Sequence, residues 1–246
     1  MRIDVLTLFP DMFAAVFGAS IIKRAQESGI LDLNITDFRD FAEGKHRQVD
    51  DAPFGGGSGM VLKPEPLFFA VRHILATTNI KNRRIIITDP GGEKFSQKKA
   101  KDLSTYAQLI FICGHYEGFD ARIMTLADER ISVGDFVLTG GELPAMTIID
   151  ATARMLPGVL GSPDSPCTDS FYDGILGYPQ YTRPRDFEGQ TVPEILLSGD
   201  HAKIAAWRRK EALRATKKYR PDLLATVNLT NVDRELLRQI ADEDDS

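Results

Sequence analysis

The sequence has few of the residues that build covalent or metal-bound frameworks. Its 246 residues include only two cysteines, Cys113 and Cys167, and four histidines. Two distant cysteines predict neither a disulfide framework nor a zinc cluster, and the scattered histidines add no metal-ligand spacing. Long apolar runs are also missing: the longest, such as Leu109 to Cys113, have about five residues, whereas a membrane span needs roughly 20. The sequence therefore predicts no resident metal and no membrane-spanning segment.

A secretory signal is not expected at the start of the chain. The opening MRIDVLTLFPDMF has an acid at Asp4 and no small-residue cleavage site, both of which argue against such a signal. With 43% apolar and 26% charged residues, the composition is typical of a globular protein with a sizeable core. The expected location is the cytoplasm.

The net charge of −5 argues against a polyanionic partner, but the charges are unevenly distributed. Residues 201–220 hold eight basic side chains against one acid, Glu211, whereas the last six residues, ADEDDS, hold four acids. A local positive excess can bind phosphates whatever the total charge, and the same pattern also suits a solvated helix face. The sequence leaves both interpretations open.

The first 160 residues alternate short β-branched runs with amphipathic stretches. This alternation is typical of an α/β domain with a parallel sheet. The predicted strands are 2–8, 31–38, 83–89, 109–113 and 130–133, and the predicted helices are 20–28, 63–77, 96–106, 119–128 and 144–155.

The character of the chain changes at Pro157. Residues 157–184 hold five prolines and four glycines without a clear period, which indicates a connection between domains. Beyond it, helices are predicted over 198–216, with Ser198 as the N-cap, 221–227 and 231–242. We therefore expect a domain at 1–160, a linker at 161–175 and a small α-helical domain at 176–246.

Three loops that follow predicted strands are rich in glycine and polar residues. They are TDPGG (88–92), CGHYEGFD (113–120) and SVGDFVLTGGELPAM (132–146). Ligands bind at the carboxyl ends of the strands in open parallel sheets, and glycine lets the backbone approach a ligand closely. The three loops together predict a pocket built largely from backbone and suited to an adenosine-like molecule.

Common nucleotide and hydrolase motifs are missing. GGGSGM (55–60) lacks the Gly-Lys-Ser/Thr ending of a P-loop, no G-x-G-x-x-G follows a strand, and the nucleophile-elbow spacing is not met. Cys113 ends an apolar strand, so we expect it in the core rather than as a nucleophile. Trp207, at helical spacing from Ile204, is likewise expected to be a packing residue rather than a base-stacking platform.

Several segments occur in the order of a known family. FPDMF, VDDAPFGGGSGM, CGHYEG, VGDFVLTGGELPAM, PGVLG, DSF, YTRP and SGDHAKIAAWRRKEAL resemble the segments of bacterial tRNA (guanine-N1)-methyltransferases, the TrmD family. The resemblance covers essentially the whole chain. It implies an α/β SPOUT domain with a parallel sheet and a deep trefoil knot, an exception to unknotted topology. The donor-binding knot would lie at about residues 85–145, and the small α-helical C-terminal domain would bind tRNA.

The resemblance also implies the reaction. The family acts as a homodimer with an active site shared across the interface. It transfers a methyl from S-adenosylmethionine to N1 of the guanosine immediately 3′ of the anticodon, and uses Mg²⁺. Guanine N1 carries a proton at neutral pH, so a base must remove it. Asp169 matches the family's proposed general base, and Arg154 matches the arginine proposed to stabilise negative charge on the guanine O6.

The other implied site residues are those expected to contact tRNA and those expected to hold the methyl donor. Glu117 could also help to hold Mg²⁺, and Asp50 lies at a position that the family needs for activity. The residues expected to contact tRNA are Asp50, Arg183, Arg208, Arg209 and Lys210. The residues expected to hold the methyl donor are Pro90, Gly114, Tyr116, Glu117, Val133, Gly134, Asp135, Phe136, Val137, Leu138, Gly140, Gly141 and Pro144.

Four positions depart from the family pattern. His115 stands where arginine is usual, Ala52 where arginine is common, Ser58 where proline is usual, and Ile87 where a tyrosine lies near the adenine. Two other functions stay open: a sibling SPOUT methyltransferase that acts on another RNA, and a non-catalytic RNA-binding module with a vestigial cofactor pocket.

Overall fold

The computed structural model of the chain describes residues 1–162 and 165–244. The chain divides into two compact units, Met1–Pro163 and Asp164–Ser246. Residues 163 and 164 of the predicted linker, and 245 and 246 of the predicted C-terminal domain, lie outside the described residues. None of the described helices is both long and apolar enough to span a membrane.

A parallel sheet organises the first unit. The strands of this unit are β1 (Arg2–Thr7), β2 (Asp32–Asp37), β3 (Asp50–Asp51), β4 (Val61–Leu62), β5 (Arg83–Lys94), β6 (Gln108–Cys113) and β7 (Glu129–Ser132). The sheet has the strand order β2-β1-β6-β5-β7, and every neighbouring pair in it is parallel. The short strands β3 and β4 form a separate antiparallel pair. The predicted α/β fold with a parallel sheet is confirmed.

Helices cover both faces of this sheet. They are α1 (Asp11–Phe17), α2 (Ser20–Glu27), α3 (Pro64–Thr78), α4 (Gln97–Leu103) and α5 (Glu142–Ala153), with 3₁₀ helices at Phe38–Phe41 and Ala121–Leu126. Alternate side chains of β6 enter two apolar clusters: Phe111 packs with α1 and α5, whereas Ile110 and Ile112 pack with α3. Burial on both faces explains why this strand is apolar throughout.

The segment predicted as a helix over 119–128 is shorter and is a 3₁₀ helix. Asp120 begins it by accepting a hydrogen bond from the backbone N–H of Arg122 at 2.9 Å. Asp128 lies beyond its end, where its carboxylate accepts the backbone N–H of Ile85 at 2.8 Å. This bond ties the chain to β5 and stops the helix. Helix α1 was not predicted from the sequence.

The second unit is built around helices with a small core of their own. Its elements are a 3₁₀ helix (Ser165–Thr168), β8 (Asp186–Phe187), β9 (Gln190–Thr191), a 3₁₀ helix (Glu194–Leu197), α6 (His201–Tyr219), α7 (Pro221–Leu224) and α8 (Asn231–Asp244). Ile175, Ala212, Leu213 and Ile240 are its buried apolar residues. Because Ile175 lies in this core, the end of the predicted linker packs within the second unit.

Asp200, rather than the predicted Ser198, caps α6. The Asp200 carboxylate accepts the backbone N–H of Lys203 at 3.1 Å, and an acid at this position also favours the positive end of the helix dipole. The Ser198 hydroxyl instead donates to the carbonyl of Ile195 at 2.8 Å and so ends the preceding 3₁₀ helix.

Candidate active site

The irregular segment of β5 at residues 88–90, where the register with β7 shifts, and the loops that follow β6 and β7 line one cavity of about 420 Å³. These strands are adjacent and parallel, so their carboxyl ends meet at one edge of the sheet. The volume lies within the roughly 300–1,000 Å³ of small-ligand sites. The residues lining the cavity are Thr88, Asp89, Pro90, Gly114 to Phe119, Met124, Ile131 to Gly134, Phe136 to Gly141 and Pro144.

Backbone contacts hold the loops after β6 and β7 together. The N–H of Gly141 donates to the carbonyl of Gly114 at 2.8 Å, and the Thr88 hydroxyl donates to the carbonyl of Gly141 at 3.2 Å. A Cβ at Gly141 would lie 2.9 Å from both the Cα of Cys113 and the backbone nitrogen of Gly114. The close approach of these two loops therefore requires glycine at this position.

A buried carboxylate lies beside Gly140. Glu142, the first residue of α5, is 2% exposed and accepts the Thr7 hydroxyl at 2.8 Å, and the helix N-terminus favours its negative charge. Burial and the charge of Glu142 raise the pKa of the Cys113 thiol. A protonated, buried thiol is a poor nucleophile, and Cys113 lies in the core as expected.

Every predicted donor residue except Asp135 lines the cavity. Asp135 is exposed instead, and its carboxylate pairs with Lys94 Nζ at 2.9 Å. Ile87, one of the departures from the family pattern, is fully buried in the core. His115, another departure, does line the cavity, and its Nδ1 is buried with no hydrogen-bond partner among the described residues.

Several residues that line the cavity were not among the predicted donor contacts. Thr88 and Asp89 stand in the TDPGG segment, which was predicted as a strand-end loop and instead forms the irregular part of β5; its glycines were the signal that could have found them. Met124 carries no such signal, because it comes from the 3₁₀ helix Ala121–Leu126 and reaches the cavity only through tertiary packing.

The segment GGGSGM (55–60) contacts Glu117, which lines the cavity. The backbone N–H of Glu117 donates to the carbonyl of Met60 at 3.0 Å, and a Cβ at Gly59 would lie 2.5 Å from the Cγ of Glu117. Asp50 precedes the loop, on β3, where it pairs with Leu62 of β4. Asp50 is not among the residues that line the cavity, so its contact with tRNA remains a prediction.

Arg154 and Asp169 lie in different units. Arg154 ends α5, and its backbone N–H donates to the carbonyl of Asp150 at 3.2 Å. Asp169 follows the 3₁₀ helix Ser165–Thr168, where its backbone N–H donates to the carbonyl of Pro166 at 3.2 Å and its carbonyl accepts the N–H of Tyr172 at 3.3 Å. Both are half-buried. Their roles in catalysis stay predictions.

The chain has relatives along almost its whole length. The family described as tRNA (Guanine-1)-methyltransferase TrmD matches residues 1–226. The curated tRNA (guanine-N(1)-)-methyltransferase of Leuconostoc mesenteroides is 56% identical over 99% of this chain and 100% of its own. That of Geobacillus kaustophilus is 55% identical over 97% of this chain and 98% of its own. The chain belongs to the TrmD family. The resemblance inferred from its motifs is confirmed.

Members of the family are expected to use Mg²⁺, and Glu117, which lines the cavity, is the residue expected to help hold it. Within 1–162 and 165–244, no group of three or more His, Cys, Asp or Glu side chains could hold a metal ion. Because Mg²⁺ is commonly held by one or two carboxylates together with waters and substrate oxygens, the part of Glu117 in holding it stays a prediction.

Tertiary contacts divide the basic run on α6. The Arg209 guanidinium donates two hydrogen bonds to the Asp233 carboxylate, from Nε at 2.7 Å and from Nη2 at 3.0 Å. Lys210 Nζ pairs with Glu243 at 2.6 Å, and Lys217 Nζ pairs with Asp244 at 2.9 Å. The acidic end of α8 thus neutralises part of the positive charge that the sequence concentrates in α6.

Arg208 takes no part in these ion pairs. No carboxylate pairs with it in the part of the chain that the structure describes, and its guanidinium lies 4.9 Å from the ring centroid of Tyr178. Arg208 also lines a cavity of the second unit together with Arg183. Of the predicted tRNA contacts on α6, Arg208 is therefore better placed than Arg209 or Lys210 to meet a phosphate.

Arg209→Ala is expected to lower the free energy of unfolding of the second unit by about 2–4 kcal/mol, because it leaves the buried Asp233 charge without its partner. Asp233 is only 2% exposed. Arg208→Ala, at the neighbouring position, should change the free energy of unfolding by no more than about 1 kcal/mol, the scale of its cation–π contact with Tyr178. Urea denaturation followed by circular dichroism measures both. Equal effects of the two substitutions would contradict a structural role for Arg209.

The same ion pair predicts an acid dependence of stability. Hydrogen bonds from Arg209 lower the pKa of Asp233 from 3.8 to about 2. Because the folded pKa lies below the unfolded value, this contribution is fully present above about pH 4 and is lost as the pH falls through about 2. Denaturation at several pH values in this range should show that the free energy of unfolding falls as the pH is lowered in the wild type, and that it falls less in Asp233→Asn.

Proposed function

We propose that this chain is an S-adenosylmethionine-dependent tRNA methyltransferase that acts on N1 of the guanosine immediately 3′ of the anticodon. The observation that carries the proposal is the backbone-lined cavity at the carboxyl edge of the sheet, in a chain that belongs to the TrmD family. A tRNA substrate implies a cytoplasmic location.

The cavity suits the methyl donor. Glycines such as Gly140 and Gly141 let the backbone approach an adenosine closely, and Phe136 and Leu138 supply exposed apolar surface. When bound, S-adenosylmethionine supplies a methyl carbon made electrophilic by a positively charged sulfur. The task of the protein is to bind this group, exclude water and orient the guanine toward it.

Asp169 is the proposed general base. The N1–H bond of guanine breaks, its proton passes to the Asp169 carboxylate, and the N1 electron pair forms the bond to the methyl carbon as the carbon–sulfur bond breaks. The backbone hydrogen bonds to Pro166 and from Tyr172 hold this part of the chain in place.

Arg154 is the proposed stabiliser of the negative charge that builds on the guanine O6. A guanidinium stays charged over the whole working pH range and presents its donors in a planar fork. The same helix, α5, begins at Glu142 beside the cavity and ends at Ala153, and Arg154 is its C-cap. Arg154 is therefore fixed relative to the donor loops by a single rigid element.

We also propose that residues of about 85–145 form a trefoil knot. In the sheet, β5 lies between β6 and β7, yet the chain after β7 returns to the loop after β6, where Gly141 bonds to Gly114. Such a return past an intervening strand supports a threaded loop. The second unit, with its basic helix α6, is the proposed tRNA-binding domain.

The proposed active unit is a homodimer with a shared site. Met12 and Val16 on α1 and Leu143 on α5 are 41, 48 and 50% exposed. An apolar surface of this kind suits an interface between copies of the chain. In an isologous dimer the two composite sites are equivalent, and each would combine the donor loops of one protomer with Asp169 of its partner.

Mixing two inactive variants tests this shared site. Leu138→Trp should fill the donor cavity and Asp169→Asn should remove the base, so each variant alone should be nearly inactive. Refolded together in equal amounts, about half of the dimers are mixed and hold one intact site of two, so activity should recover to about a quarter of wild type. No recovery, with mixed dimers seen by mass spectrometry, would mean that each protomer supplies its own Asp169.

Methyl transfer itself is tested with labelled S-adenosylmethionine and an unmodified tRNA transcript. Label should appear in a transcript with guanosine 3′ of the anticodon and not in one with adenosine there. Label in ribosomal RNA instead would indicate a sibling methyltransferase, and no transfer to either RNA would indicate a non-catalytic binding module.

A further inference from the structure

The second unit contains a cavity of its own, with a volume of about 360 Å³. It lies between the segment that leads into β8 and the first half of α6. Its floor includes apolar side chains, among them Val192, Leu196 and Ile204, and its aromatic side chains are Tyr178, Tyr181 and Trp207. It includes two of the predicted tRNA contacts, Arg183 and Arg208, and shares no residue with the donor cavity.

Trp207 faces this cavity rather than the core. The buried core of the unit consists of Ile175, Ala212, Leu213 and Ile240, and Trp207 is not part of it. Its ring lies instead 6.3 Å from that of Tyr181, tilted by 54°. Trp207 is half-buried and packs against Tyr181, so its expected role as a packing residue stays a prediction, and its helical position turns it toward the cavity.

The cavity is positively charged. Arg183 and Arg208 line it, and neither has a carboxylate partner within residues 1–162 and 165–244. Arg185 also lines it and pairs only loosely, at 3.4 Å, with Glu194, which is exposed. Cations beside aromatic rings that line a cavity, with Tyr181 exposed and Tyr178 and Trp207 half-buried, suit an anionic ligand that has a flat ring.

We propose that this cavity takes one unpaired nucleotide of the tRNA. The base stacks against Trp207 and Tyr181, and Arg183 and Arg208 meet its phosphate. The ligand is an unpaired nucleotide because A-form helices bury the faces of their bases, whereas unpaired nucleotides can stack on aromatic side chains and arginine planes. This inference rests on the proposed function, because it assumes that tRNA is the substrate and says where one of its nucleotides binds.

Trp207 is the single tryptophan of the chain, so its fluorescence reports on this cavity alone. An unmodified tRNA transcript is titrated into the full-length protein while tryptophan emission is recorded, and the anisotropy of labelled tRNA reports binding separately. Stacking should quench the tryptophan emission. The midpoint of this quenching should fall at the same tRNA concentration as the midpoint of the anisotropy change. Unchanged emission while tRNA binds would overturn the proposal.

Substitutions separate stacking from charge. Trp207→Ala should weaken tRNA binding by about tenfold or more, the usual scale for a lost base stack, and leave the salt dependence of binding unchanged. Trp207→Phe keeps a ring and should restore most of the affinity. Arg208→Ala should reduce the slope of log affinity against log salt by about one.

The matched control is Tyr219→Ala, which removes an exposed aromatic ring from α6 outside the cavity. It should bind tRNA as the wild type does, and thermal melting checks that every variant is folded. Equal affinities of folded Trp207→Ala and Tyr219→Ala would overturn the proposal. Suppose that the wild type methylates tRNA, but tRNA does not change its tryptophan emission and Trp207→Ala binds tRNA as tightly as the wild type. In that case only this inference fails, and the proposed function stands. If no tRNA binds, the inference fails together with the tRNA part of the proposed function.

Discussion

Asp169→Asn is expected to lower the single-turnover rate of methyl transfer by at least about a hundredfold, the usual scale for loss of a general base. Asparagine keeps the shape of the side chain, but it cannot accept the N1 proton. Donor affinity should stay near wild type, because Asp169 is not among the described residues that line the donor cavity. Rapid quenching with labelled S-adenosylmethionine measures the rate, and calorimetry measures the affinity.

The control is the same change at Asp186. This exposed acid also lies in the second unit, and its carboxylate accepts the backbone N–H of Gly189 at 3.0 Å, a bond that an asparagine oxygen can also accept. Asp186→Asn should therefore keep the wild-type rate. An Asp169→Asn enzyme that transfers methyl at a rate near wild type would remove Asp169 from the role of base.

Gly141→Ala is expected to weaken donor binding and to destabilise the first unit. The new Cβ would lie 2.9 Å from the backbone of Cys113 and of Gly114, and backbone cannot rotate away as a side chain can. The loops must separate, at a cost of about 1–3 kcal/mol. If the donor needs the original loop spacing, a loss of this size lowers its affinity by roughly five- to a hundredfold.

Gly161→Ala is the matched control, because a Cβ there meets no atom within 4 Å. It should change neither donor affinity nor melting temperature. Calorimetric titration with S-adenosylmethionine and thermal melting measure both quantities for the two variants. A Gly141→Ala protein that binds the donor like Gly161→Ala would show that the contact between the loops does not shape the site.

Local patterns in the sequence predicted the frame of the first unit because each follows from a local physical rule. Strands buried on both faces must be apolar throughout, and the run from Leu109 to Cys113 met that rule and became β6. Parallel strands end at the same edge of the sheet, so three glycine-rich loops after neighbouring strands could be expected to meet. They line one cavity, although its ligand came only from the family resemblance.

Errors arose where a distant residue decides the local structure. The helix predicted over 119–128 is stopped by Asp128, whose partner is Ile85 in another strand. Met124 reaches the cavity through that same packing. Ser198 and Asp200 are both good helix caps, and only the position of the preceding 3₁₀ helix decides that Asp200 caps α6.

The sequence by itself determined the family, the parallel sheet and the loops that form the cavity. Only the tertiary structure decided which charges of α6 stay available to a partner. Arg208 and Arg209 are neighbours in a run that looks uniformly basic, yet Arg209 is bound to Asp233 on α8 and Arg208 faces a cavity beside Trp207. Helix packing brings the acids of α8 to α6, and a pairing between residues so far apart leaves no mark in any local pattern of the sequence.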